Sequence, residues 1–545
     1  MFKNKLLLLI FIVALLLRIV KLGAFPVGFH ADEIRVAWNS LSILKTGHDD
    51  KGNFLPLYYN TFGDYRPTGI FYMTVPSLAV FGTNEFAVRF PAALDGALMV
   101  FPLYLLVVQL TKNKRLALMA SALLAISPWQ IEVSRATSEA VMAAFLTLFA
   151  LYFFIKAIRE KEVKAKNYIV SLLFVLASYF FYHSTRLITP LFFLITAAYF
   201  WTETADKKIR KMIIMAVAGT AILTVVFAIN PDSRGRLTQV SIFGDVDTRY
   251  EISKAQDLIN NKYTVYAKRF FNEYAKYFSP DFLVGYKAKP YRYITPGVGI
   301  LTFAEGALLI VGLTRIARKK ESALPLLLLL ASPLAAALTT EDSPNLMRSF
   351  YMVPFVAILG AYGLETIFEI NKYKNLVRYS ILGVILLNFI FFLNMYFRHS
   401  YIHRPLLSVV DMDNSSYRNA GTKEMAVRLD TLKSKYEKII VTGDPDNMYP
   451  WYAFFTGKDP EDFNKNTKQY ENIYFSDLRC PSDDSFVQEN PDNLLAIDMW
   501  ECAPESKIHD GLEIKIIEKT KRSDNSDVFK LITRSDQYFI NKKNK

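Results

Sequence analysis

Two acidic residues stand side by side in the run GFHADEIRVAW, at Asp32 and Glu33. A carboxylate at a water–lipid boundary can act as a general base on an acceptor hydroxyl. The same pair suits the first turn of a helix, and from spacing alone a cap at Asp32 is the favoured reading. Further on, GDYRPTGIFYM sets Arg66 just before an apolar segment. A guanidinium there can hold a lipid phosphate through charge-assisted bonds, or it can simply snorkel at the surface. More charge falls in SPWQIEVSRATSEA (Glu132, Arg135, Glu139), YHSTR (His183, Arg186), NPDSRGR (Arg234, Arg236) and TTEDSPNLMRS (Glu341, Asp342, Arg348). Each turn is weak on its own, but several turns of one bundle can feed a shared cavity. No Walker A motif, no HExxH and no clustered Cys/His set is present. The D-x-D triplets at Asp245/Asp247, Asp411/Asp413 and Asp444/Asp446 are of a kind frequent by chance, and no metal is assigned to them.

These residues must be positioned by a largely apolar chain: 52% of its 545 residues are hydrophobic. The apolar runs concentrate in residues 1–400, where a bilayer span needs roughly 20 apolar residues as a helix. Spans are expected near 5–24, 86–110, 116–131, 138–158, 168–183, 187–202, 211–229, 297–315, 323–340, 349–369 and 377–397. The first begins like a signal peptide, but Arg18 and Lys21 occupy the region where a cleavage site would lie, so an uncleaved helix is expected. Every second connection is short and basic, with Lys112, Lys114 and Arg115 in one and Arg159, Lys161, Lys164 and Lys166 in the next. The pattern continues with Lys207, Lys208, Arg210 and Lys211, with Arg315, Arg318, Lys319 and Lys320, and with Lys372, Lys374 and Arg378. The positive-inside rule puts these on the cytoplasmic side and accounts for much of the net charge of +13, so no nucleic-acid partner is expected. The long loops 25–85 and 230–296 then lie outside. Residues 69–82 reach only about 21 Å as a helix, short of the ~30 Å hydrocarbon core, and are expected to be interfacial or re-entrant. An aromatic amphipathic helix is expected near 256–278, either in the membrane interface or packed on the bundle. Asp95, inside the second span, must face protein or water. Residues 401–545 read as a non-cytoplasmic soluble α/β or α+β domain, with strands at 438–443, 493–500 and 512–519 and helix-compatible sequence at 422–437. Cys480 and Cys502 lie in it, either as a disulfide or as two thiols.

The stretches HADEIRVAW, DYRPTGIFYM, RFPAAL, SPWQIEVSRATSEA and NLMRSFYMVP together resemble the GT-C superfamily of membrane glycosyltransferases. The resemblance is to the branch of protein O-mannosyltransferases and aminoarabinose transferases, and it covers roughly residues 1–400. It implies a polytopic α-helical membrane protein of about eleven transmembrane helices with an appended C-terminal α/β domain, placed in the cell membrane. It also implies inverting transfer of a sugar from a polyprenyl-phosphate donor to a protein, glycolipid or polysaccharide acceptor, among membrane lipids. Asp32 falls on the family's base, Glu33 is its neighbour, Arg66 takes the lipid phosphate, and Glu139 is a candidate for acceptor binding. Arg348 matches the arginine before the tenth span, and Arg135, His183 and Arg186 join the substrate-binding candidates from neighbouring turns. Tyr65 stands where some relatives carry glutamate, a departure that counts against a metal at this position; a divalent metal stays open, with no ligand assigned. The oligosaccharyltransferase motif WWDYG is missing, since Ala453-Phe454 follows Trp451-Tyr452. The alternative class is a transporter or flippase of a lipid-linked or anionic substrate, although most charges lie at the rim rather than mid-bilayer.

Overall fold

The computed structural model describes residues 4–61, 64–160, 165–229, 240–255, 257, 259–285, 287–316, 323–370, 373–399, 419–443, 448–483, 494–502, 506–509, 512–522 and 525–534. Arg234, Arg236, Asp411, Asp413, Asp444 and Asp446 lie outside them, as does the expected domain boundary at 400/401.

In chain order the first elements are α1 (Lys5–Ile19), α2 (Ala31–Thr46), β1 (Tyr58–Thr61), β2 (Asp64–Pro67) and α3 (Gly69–Phe81). Then follow α4 (Glu85–Leu98), α5 (Val100–Thr111), α6 (Lys114–Ile126), α7 (Pro128–Ser134), α8 (Glu139–Arg159), α9 (Ala165–Tyr179), α10 (Thr185–Trp201) and α11 (Lys207–Ile229). The second half of the bundle contributes α12 (Val246–Lys254), α13 (Lys262–Lys276), α14 (Phe303–Ile316), α15 (Ala323–Ala331), α16 (Met352–Phe368) and α17 (Lys374–Asn394). A helix therefore stands at each expected span. Among the described residues, however, length and apolarity single out four crossings, Glu85–Thr111, Glu139–Arg159, Lys207–Ile229 and Lys374–Arg398, or five if the pair α6–α7 counts as one. That pair bends by 55° at Ser127-Pro128, so the span expected over 116–131 ends early. Pro128 has no N–H to continue the helical ladder. The span expected over 323–340 is likewise broken, after Ala331 and before Pro333.

Exposure indicates what surrounds the bundle. Only 17% of the apolar window of α11 and 6% of that around α17 is buried, and Ile222, Val225, Leu386, Leu387 and Ile390 stand in the open. Against water each such surface costs roughly 25 cal/mol per Å². Against lipid the cost vanishes, and a helix satisfies its own backbone there. Inside, α14 and α16 pack backbone to backbone at Gly312 and Gly363, where a Cβ would collide with the carbonyls of Leu359 and Leu308.

The expected aromatic helix is α13. It starts later than 256 and packs one face on the bundle: Phe270 and Tyr274 join the core and Tyr274 donates to the Leu330 carbonyl at 2.8 Å, while Tyr263 and Phe271 stay exposed.

Residues beyond the bundle form α18 (Thr422–Leu432), β3 (Lys438–Val441), α19 (Tyr449–Phe455), β4 (Gln469–Tyr470), β5 (Ile473–Phe475), β6 (Leu494–Met499), β7 (Ser506–His509), β8 (Leu512–Lys521) and β9 (Asp527–Arg534). The strands make one mixed sheet in the order β4-β5-β3-β6-β9-β8-β7, with β3 parallel to both β5 and β6. Cys480 and Cys502 are joined as a disulfide.

The element that matters most is α2. Its residues Ile34, Ala37, Trp38 and Leu41 recur at helical spacing and share one apolar cluster with Met425, Trp451, Phe454 and Phe463 of the C-terminal domain. Its other side, at Val36 and Ile43, packs with Tyr59, Ile70 and Phe71. The helix is thus clamped between the bundle and the C-terminal sheet and its helices rather than lying free along a surface.

Candidate functional site

The first turn of α2 is capped by His30, not by Asp32. The His30 Nδ1 accepts from the Asp32 amide at 3.2 Å, and the Glu33 carboxylate accepts from the His30 amide at 3.2 Å, closing a capping box. With Nδ1 accepting, Nε2 carries the proton and reaches the Tyr293 hydroxyl at 3.0 Å. Relieved of capping, the Asp32 side chain turns to Arg66, whose Nη1 lies 2.5 Å from Oδ1, and to Arg292, whose Nη2 lies 3.4 Å from Oδ2. All three side chains are partly exposed. Burial pushes the Asp32 carboxyl up, but the charges of Arg66 and Arg292 outweigh it and hold the group well below the usual carboxylate range.

A second set of buried groups fixes the chain that leads into α2. Arg89 is fully buried; it meets Glu33 at 2.9 Å and donates to the carbonyls of Leu22 (3.1 Å), Pro26 (2.9 Å) and Gly28. Arg135, also fully buried, donates to the carbonyls of Leu17, Arg18, Val20 and Phe25 at 2.8–3.0 Å. The first three of these carbonyls belong to the end and C-cap of α1, so a cation there answers both their hydrogen bonding and the helix dipole, while the bond to Phe25 ties in the loop that follows. His183 bonds the Tyr65 carbonyl at 2.6 Å, and Arg186 donates to the Tyr58 hydroxyl at 3.1 Å. Both therefore brace the β1–β2 hairpin that carries Arg66. Arg348 donates to Glu341 Oε2 at 2.6 Å and to Thr339 Oγ1 at 2.8 Å.

Around these groups opens a cavity of about 410 Å³, lined among others by His30, Asp32, Arg66, Glu139, His183, Arg292, Tyr293, Glu341, Asp342 and Arg348. A second cavity of about 430 Å³ is walled by Leu187, Ala228, Val240, Phe243, Ala335 and Leu338, and it shares Tyr182, His183 and Arg348 with the first. A polar chamber rich in guanidinium groups thus abuts an apolar one. Among the described residues no three His, Cys, Asp or Glu side chains group as a metal-ligand set.

Residues 65–229 match the sequence profile of the family described as dolichyl-phosphate-mannose-protein mannosyltransferase. The fold matches ArnT from Cupriavidus metallidurans in the apo state, with a TM-score of 0.55 and 12% identity over 97% of this chain and 98% of that one. The chain thus shares the fold of ArnT. The ArnT structure bound to undecaprenyl phosphate superposes with a TM-score of 0.50 and 11% identity, over 96% of this chain and 97% of that one. YkcB of Bacillus subtilis (strain 168), named as a candidate mannosyltransferase, is 27% identical over 164 residues. That stretch is 30% of this chain and 22% of YkcB, so under a quarter of the relative's length is shared.

The expected site residues part company in this fold. Asp32, Arg66, Glu139, His183 and Arg348 line the polar cavity. Glu33 and Arg135 do not; both are fully buried and hold backbone. Arg186 lines the apolar cavity. Arg292 and His30 went unrecognised. His30 was visible as a neighbour of Asp32, but Arg292 lies 260 positions away and its loop segment YRYITP carries no signal beyond one arginine between two tyrosines. Glu132 anchors that segment by accepting from the Thr295 amide at 2.8 Å.

Proposed function

We propose that this chain is a membrane glycosyltransferase that moves a sugar from a polyprenyl-phosphate-linked donor to an acceptor hydroxyl, with inversion, on the non-cytoplasmic face. The observation that carries the reading is the pair of adjoining cavities. The apolar one suits an isoprenoid chain, and the polar one offers the Asp32 carboxylate beside Arg66 and Arg292, with Arg348 elsewhere in its lining. That a GT-C relative of the same overall fold has been seen with undecaprenyl phosphate supports the donor class.

In this mechanism Asp32 removes the proton of the acceptor hydroxyl as its oxygen attacks the anomeric carbon. The bond from that carbon to the phosphate oxygen breaks, and the electron pair leaves with polyprenyl phosphate. The phosphate passes from one negative charge toward two, and the arginines meet the charge that develops. Glu139, which lines the same cavity, is assigned to the acceptor. The sugar transferred is a hexose or pentose; mannose is the first to test, given the family matched by residues 65–229. Purified protein is to be offered radiolabelled polyprenyl-phosphate sugars with candidate acceptors, and the product identified by mass spectrometry. Cleavage of the donor with sugar transfer is expected, and it should be lost in Asp32→Asn. Movement of an intact lipid without cleavage, or full transfer by Asp32→Asn, sinks the reading.

A further inference from the structure

A base that sits between two guanidinium groups is a poor base. Asp32 presents one oxygen to Arg66 at 2.5 Å and the other to Arg292 at 3.4 Å. Both acceptor sites of the carboxylate are therefore turned toward cations rather than toward a hydroxyl. The same cavity repeats the arrangement at Arg348, which holds Glu341 at 2.6 Å. The arginines facing the cavity thus carry carboxylates of the chain itself. A carboxylate and a phosphate present the same fork of oxygens to a guanidinium, so either can occupy it.

From this geometry we infer that Asp32 is a resident stand-in for the donor phosphate: its carboxylate occupies the Arg66–Arg292 pair until a phosphate displaces it, and only then is it free to act as base. The inference deepens the proposed function and rests on it for the role of the phosphate. It assigns to Arg292, brought from the second long loop, the phosphate contact that Arg66 shares. It also orders the cycle. The donor phosphodiester enters and takes the arginine pair, and Asp32 turns to the acceptor hydroxyl. Sugar transfer leaves a phosphate monoester on the arginines and a proton on Asp32. Once that proton passes to water, the restored carboxylate competes for its old partners and drives the product out. The device also spares the empty enzyme an exposed reactive base, because without a donor the carboxylate is engaged.

The device has an uncommon consequence: neutralising the catalytic residue should strengthen donor-site binding. An internal competitor weakens apparent affinity in proportion to the fraction of time it holds the site. Full-length protein in nanodiscs is to be titrated with polyprenyl monophosphate, as wild type, Asp32→Asn, Arg292→Gln and the double variant. Asp32→Asn, which keeps the side-chain shape and leaves the His30 cap in place, should bind on the order of tenfold tighter. Arg292→Gln should bind more weakly in either background. Inorganic phosphate should compete with the lipid, and more effectively in Asp32→Asn, because the phosphate is the group recognised. Equal or weaker binding by Asp32→Asn overturns the inference, as does an equal gain for polyprenol, which has no phosphate. Unchanged affinity in Arg292→Gln overturns the role of Arg292. Thermal unfolding of each variant identifies any that fail to fold, and Asp32→Ala then serves as the second charge-removing variant. The two readings separate cleanly. Tightening without any transferase activity in the wild type leaves the stand-in and removes the proposed function. Transfer without tightening does the reverse.

Discussion

Asp32 shows how one side chain's setting decides its chemistry. With Arg66 and Arg292 beside it, the carboxyl of the free protein ionises well below the ordinary value of about 3.9. A group depressed in this way keeps its charge until pH falls through the lowered value. Since kcat/KM reports the free protein and kcat the donor complex, the acid limb of kcat/KM should lie at lower pH than that of kcat, where phosphate has drawn the arginines away. A pH–rate series with saturating and limiting donor checks this; coincident limbs would count against it. Arg89 makes the complementary case of a charge used for structure. It is fully buried with Glu33 and three carbonyls as partners, and Arg89→Met leaves the buried Glu33 carboxylate without its cation. The expected loss is roughly 3–5 kcal/mol, read as early thermal unfolding, with part regained on adding Glu33→Gln.

Among the elements, α2 connects the site to the rest of the molecule. Asn464 accepts from the Trp38 indole at 3.0 Å and donates to Ser42 Oγ at 3.0 Å, while Tyr449 donates to Asp50 at 2.7 Å just past the helix end. The C-terminal segment in this way walls the helix that begins beside Asp32. Asn464→Ala leaves the buried indole N–H unpaired, at a cost of about 1–3 kcal/mol. Because Trp38→Phe removes that N–H beforehand, the two changes should couple, the double variant losing less than the sum of the singles. Additive losses in a thermal-unfolding cycle would show that the bridge does not act as a unit.

For the whole molecule, the question is which side the C-terminal domain occupies. The connections Lys112–Lys114 and Arg159–Lys166 should face the cytoplasm, with α18 on the opposite side. A cysteine introduced at Lys423 in a variant with Cys480 and Cys502 replaced should react with an impermeant maleimide in intact cells. One at Asn113 should react only after permeabilisation. The reverse pattern would overturn the orientation, and with it the proposed placement of the reaction.

Much of this protein was legible in its sequence. Apolar runs and basic connections are local quantities, so the helices near each expected span and the strands at 438–441, 494–499 and 512–521 follow from short windows. Asp32 and Arg66 could also be named as candidates, because residue type and nearness to an apolar run suffice to suggest them. Helix breaks at Pro128 and Pro333 were only half legible, since proline forbids a hydrogen bond but packing decides whether the helix bends or ends. Tertiary structure alone decided the rest. Nothing in the sequence distinguishes Arg135, which holds the end of α1, from Arg66, which faces the cavity, because an arginine's role depends on which carbonyls or carboxylates the fold brings within reach. Nor could it place Arg292 against Asp32, since two side chains 260 residues apart meet only when the whole bundle closes.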